Sequence, residues 1–204
     1  MKRVNRYEIT REKFFDTDER EKILKVSKQK AKQDQEAGRN TWPARWMLVH
    51  LALYSGLRVA EIADLEIIDL FLDVKAPYIK VTNGKGNKAR IVYIDDNLCG
   101  HLKEYSKGRR KVEPLFKCTF NSKGKKYTTT TLHRSFKKAI QAAGLRMNLT
   151  IHSCRHTYAT MLLEKTGNMR YVQKQLGHSS LNITALYADI LPEKNGILAN
   201  MILD

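Results

Sequence analysis

The sequence predicts an α+β domain, mainly helical, with a small antiparallel sheet that carries a basic β-hairpin. Three observations predict it. Apolar residues recur at helical spacing through most of the chain, bounded by capping residues. Two short runs rich in Ile, Val and Tyr flank one Gly-bearing connection in the middle. The 204 residues, 42% hydrophobic and 28% charged, suffice for one domain with its own core and are too few for a second large one.

Residues 1–40 are charged, with Phe14, Phe15, Ile23, Leu24 and Val26 as the notable apolar positions. They predict one amphipathic helix from about Asp18, fraying in the KQKAKQDQEAGRN stretch and belonging to the same domain. Thr41 reads as the N-cap of the next helix, with Pro43 in its first turn, where a missing N–H costs nothing. Trp46, Leu48, Val49, Leu51, Ala52, Leu53 and Tyr54 make that helix largely apolar, so it belongs in the core. Gly56 ends it, and a short helix follows through Val59, Ile62, Ala63 and Leu65. Tyr78–Thr82 and Arg90–Ile94 read as strands joined by Asn83-Gly84-Lys85-Gly86-Asn87-Lys88-Ala89, a hairpin with a basic tip. Helices then recur over about 98–107, 129–143 with Gly144 just beyond, 151–165, 169–176, 180–188 and 193–203.

Charge narrows the function classes. The 37 Lys+Arg against 21 Asp+Glu leave a net +16, well beyond what solubility requires, which points to a polyanionic partner, nucleic acid before membrane. Residues 75–146 hold 18 of the basic side chains and only 4 acidic ones, a concentration expected of a phosphate-contacting surface. Cys99, Cys118 and Cys154 are odd in number and form no C-x-x-C pair, against a disulfide framework or zinc ribbon. The charged N-terminus has no apolar signal-like stretch, and no uncharged apolar run reaches membrane-spanning length. The expectation is a reduced, cytoplasmic protein.

Single residues carry ordinary explanations. Arg58, at a helix start in apolar surroundings, needs a partner such as Glu61 or Asp64. His152 and Arg155 stand at i, i+3 on a helix that Thr150 caps, where the helix N-terminus already favours an anion. His152 and His156 lack the Glu of an H-E-x-x-H zinc motif, Ser153 standing there instead, so no metal site is expected. His178 follows Gly177 on an interhelical turn, and Tyr187 lies nine residues further on a short helix. Lys85 sits between two glycines.

Their joint order is what speaks: SGLRVAE at 55–61, GKGNKAR at 84–90, IHSCRH at 151–156, LGHSS at 176–180, then Tyr187. Together they resemble the tyrosine recombinase (phage integrase, XerC/XerD-like) family, over about residues 41–190, the extent of its catalytic domain. The resemblance implies a DNA strand exchange without metal, ATP or other cofactor. Tyr187 would attack phosphorus to give a 3′-phosphotyrosyl enzyme and a free 5′-hydroxyl. Arg58 and Arg155 would bind the non-bridging oxygens with planar guanidinium forks, joined by His178. Lys85 would protonate the leaving 5′-oxygen, and His152 would act as general base for the tyrosine. Lys85, Lys88 and Arg90 would contact DNA.

Two departures stand out: Asp189 occupies a position where the family often has His, and Cys154 replaces the usual Leu. Forty upstream residues are too few for the family's complete N-terminal core-binding domain, so the chain reads as a short recombinase or a catalytic-domain fragment. Alternatives are type IB topoisomerase-like relaxation and a non-catalytic DNA-binding regulator. The LGHSS spacing speaks against the first and the six assigned residues against the second; an RNA-binding module lacks a supporting motif. Residues 191–204 place Ile197, Leu198, Met201 and Ile202 on one apolar stripe, which either folds back in cis or, as the resemblance implies, docks on a neighbour in a tetramer on double-stranded DNA.

Overall fold

Asp16 starts the first helix by a reciprocal cap. Its side chain accepts from the Glu19 amide at 2.7 Å while Glu19 accepts from the Asp16 amide at 3.1 Å, an arrangement that stabilises a helix end by about 1 kcal/mol. The computed structural model describes residues 11–82, 89–118 and 124–188. A 3-10 turn, Arg11–Lys13, leads into α1, Thr17–Glu36. This helix does not fray where the charged sequence suggested. Ile23, Ser27, Ala31 and Asp34 form a buried stripe along it, and that face packs on α2, Thr41–Ser55.

Thr41 is the first helical residue of α2 and not its cap. The acceptor comes from the neighbouring helix, where Asp34 takes the Trp42 amide at 2.9 Å and Arg39 Nε at 2.9 Å. A tertiary carboxylate therefore does the work that a local side chain was expected to do. α2 contacts α1, α4, α5 and α6, which is why Met47, Leu48, Val49, Leu51, Ala52 and Leu53 are all buried. Gly56 stops it at φ +63°; a Cβ there would collide with the Tyr158 ring and meet Leu176 Cδ2 at 2.7 Å. Only glycine fits both the left-handed backbone and the close approach of α6 and α7.

After α3, Val59–Asp64, a 3-10 turn at Ile67–Asp69 precedes the sheet. Its order is β1–β2–β3, all antiparallel: Leu70–Phe71, Tyr78–Val81 and Arg90–Tyr93. The two expected strands are there, each one residue shorter; their connection, 83–88, lies outside the described residues. β1 was not foreseen, because two residues carry no alternation to read. The outer edge of β3 is covered by a side chain: the Gln175 amide accepts from Tyr93 N at 3.0 Å and donates to Tyr93 O at 3.1 Å.

Four capped helices follow: α4, Asp96–Ser106; α5, Thr129–Ala142; α6, Ile151–Thr166; and α7, Met169–Leu176. Asp95, Thr128, Thr150 and Asn168 each accept an amide at the respective start. The last described helix is α8, Leu181–Ala188. The expected helix over 193–203 lies outside the described residues. A main core joins α2, α5 and the sheet, and a smaller cluster gathers Phe14, Ala159, Leu163, Val172, Leu176 and Tyr187. Among the described residues, no helix is long and apolar enough to cross a membrane, and the three cysteines are free.

Candidate active site

A helix C-terminus presents carbonyl oxygens that no further turn satisfies, and it carries partial negative charge. At the end of α7 three arginines from distant segments meet that need. Arg90 Nε donates to Gln175 O at 3.2 Å, Arg155 Nη2 to Leu176 O at 2.7 Å, and Arg58 Nη2 to Gly177 O at 3.0 Å. Arg155 Nη1 also donates to Gly56 O, tying the turn after α2 to the end of α7.

Arg58 is the residue just before α3, and Glu61, one turn on, receives its amide at 2.7 Å and its Nη1 at 2.9 Å. The structural partner expected for Arg58 is thus Glu61, while Asp64 pairs with Lys126. Glu61 also takes both terminal nitrogens of Arg90, at 2.7 and 2.8 Å. Burial alone would raise the Glu61 carboxyl, but the Arg90 hydrogen bonds and charge outweigh it and, with Arg58, hold it at about 2. Burial and the neighbouring Arg58 bring Arg155 down to about 10, so it stays charged at neutral pH.

Arg90 was expected at the DNA surface. Its side chain is instead turned inward and 12% exposed, with all three guanidinium nitrogens engaged. Arg58 keeps 29% of its side chain accessible, and three of its five N–H groups are committed to Glu61, Leu176 and Gly177. Its remaining donors are available to an anion.

The Gly177 turn ends α7 at φ +64°, and the next residue is His178, buried and bonded through Nδ1 to Thr184 Oγ1 at 2.9 Å. Its ring lies parallel to that of Tyr187, with centroids 6.0 Å apart. The Tyr187 hydroxyl is 3.0 Å from His156 Nδ1 and the residue is 2% exposed. So the structure brings Arg58, Arg155, His178 and Tyr187 around one helix end. His152, at i, i+3 from Arg155, is exposed while Arg155 is buried; its ring stands edge-on to that of His156, with centroids 4.4 Å apart, and His156 is bonded to the Tyr187 hydroxyl. Lys85 and Lys88 lie outside the described residues.

His156 was given no part in the reaction from the sequence, and Glu61 was weighed there only as a partner for Arg58. The HSCRH spacing held a signal for His156, which was weighed there only as a zinc ligand. Among the described residues, no three His, Cys, Asp or Glu side chains are grouped to hold a metal. A cavity of about 1020 Å³ lies between α1, α2 and α4 and shares no residue with the arginine cluster.

Buried imidazoles make the fold acid-sensitive. Burial first, then the nearby cations and imidazoles, pushes His156 and His178 down to about 3; burial and His101 push His50 to about 4. Below the unfolded value of about 6.5 the unfolded chain takes up these protons and the folded one does not, so stability falls as pH drops from 6.5 towards 3–4. By pH 5 each group costs at most about 2 kcal/mol. The expected result is a large fall in melting temperature between pH 7.5 and 5; an unchanged melting temperature would show that these histidines are solvated.

Comparison with known proteins gives one consistent likeness. The model of the Phage integrase family matches residues 13–194. A tyrosine recombinase of Pseudothermotoga lettingae is 32% identical over 160 residues, 78% of this chain and 54% of that protein. Tyrosine recombinase XerC of Leptospira interrogans is 32% identical over 183 residues, covering 89% and 56%. A crystal structure of XerA recombinase superposes with a TM-score of 0.71 at 26% identity over 96% of this chain and 65% of that one. A pre-cleavage complex of XerH with its difH substrate gives 0.71 at 25% identity, covering 96% and 54%. The chain spans about half the length of the curated relatives it matches.

Proposed function

This chain belongs to the phage integrase family, and on that premise we propose that it is a site-specific DNA recombinase, cutting and rejoining strands through a 3′-phosphotyrosyl intermediate. The observation that carries the reading is the meeting of Arg58, Arg155, His178 and Tyr187, drawn from four separate motifs, at the end of α7. Two guanidinium groups over one helix terminus form a preorganised seat for a phosphodiester, and they act where charge grows as phosphorus becomes five-coordinate.

In the proposed step the Tyr187 oxygen bonds to phosphorus, the P–O5′ bond breaks, and the phenolic proton leaves to a base. His152 is the base assigned from the motif, with His156 already in hydrogen-bond contact with that hydroxyl. Lys85 supplies the proton that the departing 5′-oxygen requires. One ester replaces another, so neither ATP nor a divalent cation is needed to conserve the bond energy. Because Tyr187 is 2% exposed, α8 has to move before its oxygen meets a scissile phosphate.

The basic excess of residues 75–146 supports a double-stranded DNA partner, with Lys85 and Lys88 at the contact surface. The apolar stripe of residues 193–204 supports exchange of that segment between subunits of a tetramer on two duplexes. A cytoplasmic site of action agrees with a DNA substrate. The test uses a nicked duplex whose sequence is first recovered by selecting a random-sequence pool for binding to the full chain. A covalent protein–DNA adduct that survives denaturing electrophoresis and forms in EDTA is the expected result, with strand exchange between two such duplexes. Binding without any adduct would leave a DNA-binding regulator, and relaxation without exchange a topoisomerase.

A further inference from the structure

Glu61 presents a difficulty for a phosphate-binding site: a buried carboxylate stands against the arginine that is to meet an anion. Carboxylate and guanidinium forks match bidentately, and a fully paired Arg58 would offer little net charge. The second cation resolves it. Arg90 takes both Glu61 oxygens, at 2.7 and 2.8 Å, and leaves Arg58 a side-chain bond to Oε1 alone. Three guanidinium groups against one carboxylate leave two positive charges at the site; without Arg90 one remains, and Arg58 is free to close on Glu61.

The backbone is built around this placement. Gly177 has no side chain where Arg90 crosses it; a Cβ would lie 2.8 Å from Arg90 Cδ and 2.9 Å from Nε. Arg90 opens strand β3, opposite Val81, and the same strand is clasped by the Gln175 amide at Tyr93. One residue of α7, Gln175, thus holds the strand at both ends, with Arg90 Nε bonded to Gln175 O as the third contact.

We propose that Arg90 is a positioning residue of this site: it neutralises Glu61 so that Arg58 keeps its charge for the scissile phosphate, and it fixes β3 to the turn bearing His178. The inference rests on the recombinase reading above. It also moves Arg90 from the DNA surface to the interior of the machinery.

The test is single-turnover cleavage of the selected nicked duplex at saturating protein, beside DNA affinity by fluorescence anisotropy and a thermal melt. Arg90→Gln is expected to slow cleavage by about tenfold or more while affinity changes less than about twofold. The deciding variant is the double one, Arg90→Gln with Glu61→Gln. With the carboxylate gone, cleavage should rise at least about threefold above Arg90→Gln alone, a rescue that loss of packing cannot produce. Arg90→Lys, which keeps the charge but not the fork, should fall between wild type and Arg90→Gln, and it carries the test if Arg90→Gln does not fold. Wild-type cleavage in Arg90→Gln or Arg90→Lys, or a double variant slower than Arg90→Gln, would overturn the proposal. A wild-type chain that forms no adduct would instead overturn the recombinase reading itself, so the two failures are distinct.

Discussion

Tyr187→Phe is expected to abolish the covalent adduct completely while leaving DNA affinity within about twofold. The substitution removes one oxygen from a ring that stays packed against His178 and in the cluster of Phe14, Leu163, Val172 and Leu176. Its structural cost is the buried bond to His156, roughly 1 kcal/mol, too little to unfold the domain. No other side chain inherits the attack. Tyr158 and Tyr171 both sit at the Gln175 amide, at 3.4 and 3.3 Å, and burial pushes the Tyr158 hydroxyl well above the usual phenol range. Denaturing electrophoresis after incubation with the nicked duplex decides it; an adduct in the Phe variant would place the nucleophile elsewhere.

Removing either arginine fork should cost cleavage nearly as much, and the two removals should differ in stability. By analogy with deletion of an oxyanion donor, Arg58→Ala or Arg155→Ala should each raise the barrier by roughly 3 kcal/mol or more, over 100-fold in single-turnover rate. Arg155 is 3% exposed and joins Gly56 O to Leu176 O. Its loss strands buried carbonyls as well, so Arg155→Ala should also lower the melting temperature markedly. Arg58 keeps a more exposed side chain and should give the cleaner separation of rate from stability. A loss below tenfold in either variant would remove that arginine from the site.

What could be read from the sequence was what local chemistry determines. Thr150 as a cap, Gly144 and Gly177 as stops, and the apolar face of α2 all placed helix ends within a residue or two. Misreadings arose where a distant partner intervenes: Asp34 caps α2 from α1, and packing on α2 keeps α1 helical through its charged end. The same division runs through the site. Motif order identified Arg58, Arg155, His178 and Tyr187, whose side chains the fold does gather. Spacing along one helix could not tell that Arg155 faces inward and His152 outward, nor that a strand arginine such as Arg90 would be drawn to a carboxylate on α3.

The end of α7 also orders events in time. Positions 58, 90 and 155 all precede 175–177 in the chain, and each of their guanidinium groups donates to a carbonyl there. Until α7 docks, Glu61 and Gly56 O offer the three cations only part of their partners, so a chain still emerging from the ribosome holds these arginines without the helix end on which all three meet. The arginine cluster is then complete only once α7 has docked. Native-state hydrogen exchange should report the same coupling as a shared opening of α7 and β3; a β3 that stays protected while α7 opens would dissolve it.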